Sequence, residues 1–240
     1  MTYGEGGPIP SRVSDAKPSL LLLGSTGLVG AAFARLAVAS GRYGTVRALV
    51  RRPSAPTPQG LEEHVVDLEG LLEPSSPLAR QFEVEHVFCC LGTTIKVAGT
   101  KERFRRVDYE YPLAAAKLAL AAGARRYVVV TAVGADAASP IFYNHVKGEL
   151  EAALRELAFP EGVVVLHPSL LLGDRREQRT GEAIASVLMR ATRPLFAGPL
   201  ERYRAIRDEE VARAMLNAAF EPNAGTRVLE GRDLFRLATR

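Results

Sequence analysis

The sequence predicts an α/β protein built on a doubly wound, mostly parallel sheet, with helices on both faces and a small C-terminal extension on the substrate side. Three observations predict it. Short apolar runs of strand length alternate with stretches of helical periodicity. A trio of glycines, "GSTGLVG", sits between the first such run and the first helix. No long linker and no fixed-period repeat divides the 240 residues.

The strand-like runs are "SLLLLG" (19–24), "TVRALV" (45–50), "EHVVDL" (63–68), "EHVFCCLG" (85–92), "RYVVVTA" (126–132) and "GVVVLHP" (162–168). Continuous apolar runs of this length suit strands covered on both faces. Between them, "LVGAAFARLAVASG" ends at Gly41, a natural helix stop, and the alanine-rich "FRRVDYEYPLAAAKLALAAG" ends at Gly123. "YNHVKGELEAALRELA" carries Val146, Leu150, Ala153, Leu154 and Leu157 at helical spacing and stops before Pro160. Right-handed crossovers join such units. Further on, "GEAIASVLMRATRP" reads as a helix and "YRAI" as a short strand. "DEEVARAMLNAAF" reads as a helix capped by Asp208, and "RVLEG" with "RDLFRLATR" closes the chain. The Gly-, Pro- and Ser-rich residues 1–18 read as a loose arm before a single domain over 19–240, with 169–240 folding over the C-terminal edge of the sheet.

Composition narrows the function. With 47% hydrophobic and 24% charged residues the chain carries a full core, and no apolar run of about 18 residues is present to span a membrane. The net charge of +4 is scattered in arginine pairs rather than gathered in a stripe, which argues against a nucleic-acid partner. Adjacent Cys89 and Cys90 cannot readily pair, and two free thiols with no secretory signal lead to the expectation of a cytoplasmic location. The four histidines are scattered, with no metal-ligand spacing.

In the glycine loop, Gly24 serves the tight turn, Gly27 a close backbone approach to a pyrophosphate, and Gly30 the packing of helix on strand. The helix start, Leu28 and Val29 included, offers free N–H groups and a partial positive charge to the phosphates, and the hydroxyls of Ser25 and Thr26 add contacts. Arg51 and Arg52 stand at the end of the second strand, where an acidic residue would select NAD. They suit a 2′-phosphate, so NADP(H) is favoured over NAD(H). Asp67 and Leu68 fall where the adenine would lie. Tyr143 and Lys147 are one helical turn apart and can share a face.

On these stretches, together with "CCLGTT", "VAGTKERFRRVDYEY", "VTAVGADAAS", "FYNHVKGELEAAL", "HPSLLLGDRREQRTGE" and "AIRDEEVARAM", the chain resembles atypical short-chain dehydrogenases/reductases. Within them it is similar to the oxidoreductases related to the human Tat-interacting protein. The resemblance implies an NADP(H)-binding Rossmann core, with Tyr143 and Lys147 as the proton-transfer pair and Leu91, Gly92 and Thr93 along the cofactor. It also implies that His167, Pro168 and Ser169 line the far side. Most relatives carry arginine before that proline, so His167 is a departure. A hydroxyl after the fifth strand normally holds the substrate carbonyl; Thr131 is the candidate here, with Ser139 a weaker one. The expected function is NADPH-dependent reduction of a small-molecule carbonyl. A cofactor sensor with a protein partner, or an epimerase using its cofactor transiently, is the alternative, and a homodimer stays open.

Overall fold

The computed structural model describes residues 16–169, 171–172 and 204–240. The expected N-terminal arm falls almost wholly outside them. So do the helix expected at 181–194 and Arg175, Arg176 and Arg179.

Nine strands appear among the described residues: β1 (Ser19–Leu23), β2 (Thr45–Val50), β3 (Glu62–Val65), β4 (His86–Cys89), β5 (Arg126–Val130), β6 (Val163–His167), β7 (Leu171–Leu172), β8 (Ile206–Arg207) and β9 (Thr226–Glu230). Seven form one sheet in the order β3-β2-β1-β4-β5-β6-β9, and every pairing in it is parallel. β7 and β8 pair separately beyond β6. The order reverses between β1 and β4, so the crevice beyond their C-terminal ends is the natural ligand position of such a sheet.

The inner strands of the sheet are buried on both sides. Alternation along each strand sends Leu20 and Leu22 to one core and Leu21 and Leu23 to the other. The first core is closed by α1 (Leu28–Ser40) and by two helices from the C-terminal part of the chain, at 208–218 and 231–238. α2 (Ile95–Ala98) and α3 (Lys101–Arg105) follow β4 as short turns. The second core is closed by α4 (Tyr111–Ala121) and α5 (Phe142–Arg155), the latter burying Val146, Leu150 and Leu154 at intervals of one turn. Arg207 precedes α6 (Asp208–Ala218), and the Glu210 carboxylate accepts its N–H at 2.9 Å; α7 (Gly231–Ala238) ends the chain. Asp208 is thus the first residue of α6 rather than its cap.

Two departures from expectation have physical reasons. The third strand ends at Val65, because Asp67 turns the chain by accepting the Glu69 N–H at 3.0 Å, which opens a 3₁₀ turn over Leu68–Leu72. The helix expected across 104–123 is interrupted by a π-turn at Arg106–Glu110. Pro112 has no N–H to give the Asp108 carbonyl four residues back, and its ring crowds that carbonyl. The helix widens, and the Tyr111 N–H bonds to the Arg106 carbonyl, five residues back.

Candidate active site

The site is built at the C-terminal ends of β1, β4, β5 and β6. At the β1–α1 turn Gly24 has φ +85°, and a Cβ there would lie 2.6 Å from the Cys90 carbonyl oxygen at the end of β4. A Cβ on Gly30 would lie 2.0 Å from the Gly24 carbonyl oxygen. Neither position accepts a side chain without moving backbone. Gly27 is the N-cap of α1, and the first intrahelical bond runs from the Ala31 N–H to its carbonyl at 2.8 Å. The amides of Leu28, Val29 and Gly30 therefore lie in the unfilled first turn. Val29 buries its side chain in the core and has only its backbone to offer a ligand. Ser25 is 6% exposed, and its Oγ is buried without a partner. A buried hydroxyl left unbonded is costly, and at this helix N-terminus a phosphate oxygen would satisfy it. The loop thus fits the pyrophosphate of a dinucleotide. Thr26 is exposed beside it, Arg51 and Arg52 are exposed where β2 ends, and Leu68 is buried below the Asp67 turn.

Tyr143 and Lys147 lie on α5 one turn apart. The half-buried Tyr143 ring packs against Phe104, with centroids 5.5 Å apart. Lys147 is 3% exposed, and its Nζ lies 2.8 Å from Oδ1 of Asp108, which is fully buried. The other Asp108 oxygen accepts the Thr93 N–H at 2.9 Å. Burial pushes the Asp108 carboxyl above its ordinary pKa, and Lys147 with the Thr93 amide offsets part of that rise. A Cβ on Gly92 would sit 3.4 Å from Asp108 Oδ1 and 3.7 Å from Lys147 Nζ, so "LGT" runs directly over the ion pair. Leu91 packs into the second core. Asp108 was not anticipated from the sequence. Its signal was Pro112, four residues later inside an alanine-rich helix.

Thr131 is oriented differently from what its proposed role requires. Its hydroxyl donates to Glu151 Oε1 at 2.7 Å and is buried, so its one proton is already committed. Ser139 is half-buried and its oxygen accepts the Ile141 N–H at 3.2 Å. The His167 ring also sits in an ion cluster rather than along a crevice. Its Nε2 lies 2.7 Å from Glu151 Oε1 and its Nδ1 3.2 Å from Glu230 Oε2. Pro168 is buried and accepts the Val133 N–H at 3.3 Å through its carbonyl, while Ser169 donates its hydroxyl to the Arg204 carbonyl. Glu151 and Glu230 carry no signal in the sequence, because they meet the His167 ring across α5, β6 and β9, which no local spacing encodes.

This cluster gives a pH prediction. Burial alone would push the His167 pKa down, but the hydrogen bonds and charges of Glu151 and Glu230 outweigh it, so the folded value is raised. Arg155, with its guanidinium 3.7 Å from Glu151, is the other cation facing the group. A raised folded value means that the stabilisation is complete below the unfolded value of about 6.5 and is lost as pH rises through the folded one. The melting temperature of the wild type is expected to fall over that rise. His167→Arg, which cannot deprotonate, should flatten the fall, and an unchanged slope would count against the assignment.

The geometry defines a nucleotide-binding α/β fold with a Tyr–Lys pair beside its crevice. No family model matches the chain. It is 34% identical over 224 residues to Protein HTATIP2 of Rattus norvegicus, covering 91% of this chain and 88% of that protein. It is 33% identical over 206 residues to "Protein FMP52, mitochondrial" of Debaryomyces hansenii, covering 85% and 88%. Among solved structures, MoeE5 in complex with UDP-glucuronic acid and NAD superposes with a TM-score of 0.68 at 22% identity, over 89% of this chain and 76% of that one. Human epimerase family protein SDR39U1 with NADPH gives 0.55 at 20%, over 89% and 73%. The chain belongs to the family of HTATIP2 and FMP52, and it shares its fold with the nucleotide-bound solved structures. The cytoplasmic expectation is corrected by these relatives, since the FMP52 proteins are named mitochondrial. Free thiols report a reducing environment and do not distinguish one compartment from another. Among the described residues no helix is long and apolar enough to cross a membrane.

Proposed function

We propose that this protein is an NADPH-dependent oxidoreductase that reduces a carbonyl of a small molecule, with Tyr143 as the proton donor and Lys147 as its partner. The observation that carries the reading is the Tyr143–Lys147 turn of α5, with Lys147 held by buried Asp108 under Gly92, at the same sheet edge as the unpartnered Ser25 hydroxyl. The glycine loop and the amides of Leu28 to Gly30 would hold the pyrophosphate. Arg51 and Arg52 would hold the 2′-phosphate bidentately, and Asp67 and Leu68 would border the adenine. Leu91, Gly92, Thr93 and the backbone of 167–169 would flank the nicotinamide, with 169–240 supplying the substrate side of a single domain.

When bound, the nicotinamide supplies the hydride. Tyr143 gives its phenolic proton to the carbonyl oxygen, and Lys147, one helical turn on along α5, would hold the cofactor beside it. Asp108 is a positioning residue: it fixes where the Lys147 ammonium sits.

A second reading is a cofactor-binding sensor with a protein partner and no turnover. It is favoured by Thr131, whose proton goes to Glu151 and leaves the substrate carbonyl without that donor. A panel of aldehydes and ketones, read by NADPH oxidation beside NADPH and NADH titrations, separates the two. Turnover with tighter NADPH binding is expected. NADPH binding with no turnover across the panel would favour the sensor, and equal affinities would remove the NADP preference.

A further inference from the structure

We propose that Glu63 is the positioning residue of the 2′-phosphate clamp: it fixes the loop carrying Arg51 and Arg52 and thereby sets the preference for NADP over NAD. The inference rests on the cofactor reading above. Both arginines leave the end of β2 exposed, and the chain after them folds back onto the edge strand β3. There the Glu63 carboxylate accepts the Ser54 N–H at 2.9 Å, the Ser54 hydroxyl at 2.5 Å and the Thr57 hydroxyl at 3.3 Å. One side chain thus gathers three donors from residues 54–57, directly after the arginine pair. Burial would raise the Glu63 pKa, but these bonds outweigh it and hold the carboxyl below its ordinary value, so it stays ionised near neutrality.

The consequence is selective for one ligand. An untethered loop would have to lose its conformational freedom when a phosphate bound, and that loss would subtract from affinity. Tethering the backbone beforehand removes that cost, but only for a ligand that uses the arginines. NAD has no 2′-phosphate and gains little. The carboxylate is itself committed to donors of the loop, the Ser54 N–H and hydroxyl and the Thr57 hydroxyl. Glu63 pairs in register with Ala48, three residues before Arg51.

The test is calorimetric titration of NADP⁺ and NAD⁺ into the full-length wild type, Glu63→Ala and Glu63→Gln. Melting temperatures confirm that each variant is folded. Glu63→Ala is expected to lower the ratio of NADP⁺ to NAD⁺ affinity about fivefold or more, as loss of the acceptor that tethers the loop predicts. Glu63→Gln keeps an acceptor oxygen and should retain most of the ratio. An unchanged or higher ratio in Glu63→Ala, or an equal fall in both affinities, would overturn the proposal. If the wild type binds the two cofactors equally, the cofactor reading fails and the clamp fails with it. If the wild type and Glu63→Ala prefer NADP⁺ alike, the reading stands and only the assignment of Glu63 falls.

Discussion

Tyr143→Phe is expected to bind NADPH as the wild type does and to lose turnover by roughly 10²–10⁴, the usual worth of one positioned proton donor. The substitution removes one oxygen and leaves the ring. The ring's contact with Phe104 at 5.5 Å is therefore kept, and the start of α5 has no reason to move. Binding should be insensitive, because on the proposed reading the phosphates are held by the glycine loop and not by Tyr143. The measurement is steady-state NADPH oxidation on whichever carbonyl the panel finds, beside a binding titration of the same variant. A rate within a factor of a few of the wild type, about what a lost hydrogen bond costs at the surface, would show that the phenol gives no proton. Weaker NADPH binding with an unchanged rate at saturation would show that Tyr143 contributes to binding alone.

Lys147→Met carries the largest expected cost to stability. It strands the Asp108 carboxylate, whose side chain is 1% exposed, with the Thr93 amide as its hydrogen-bond donor. Removing one partner of a buried pair costs about 3–5 kcal/mol, whereas replacing both is far cheaper. The double variant Lys147→Met with Asp108→Asn should therefore regain most of the stability, since a neutral amide still accepts from Thr93. Denaturant unfolding of the two single variants and the double measures the coupling. Additive losses would mean that the pair is not a coupled unit. Activity should stay low in the double variant even as stability returns, because the Lys147 ammonium is still missing.

The strands and helices were legible where a single element carried its own signal. "TVRALV" is β2 residue for residue, and Gly41 ends α1 in the left-handed conformation that a helix stop requires. The parallel order could be anticipated, because runs apolar at every position leave no face for water. What the sequence hid lies in contacts across elements. Thr131 stands at the expected strand end, yet which way its hydroxyl points is decided by Glu151, twenty residues on. The resemblance implies His167 as a lining residue, but two carboxylates from α5 and β9 converge on its ring. Asp108 was passed over as one charge among the many of "RRVDYEYP", since helical periodicity alone assigns it no inward direction.

The π-turn divides the labour of the site in an unusual way. Pro112 carries no functional group and belongs to the packed second core of the sheet, yet its missing N–H is what widens the helix around Asp108. The wider turn adds a residue to the coil, and everything upstream of Pro112 is rotated relative to a regular helix. The inward aim of a carboxylate is thus set by an atom that is absent from a neighbour it never touches through its side chain. Grafting the Tyr–Lys turn and Asp108 onto another sheet of this type would carry the charges across and leave their alignment behind unless the imino acid travelled with them.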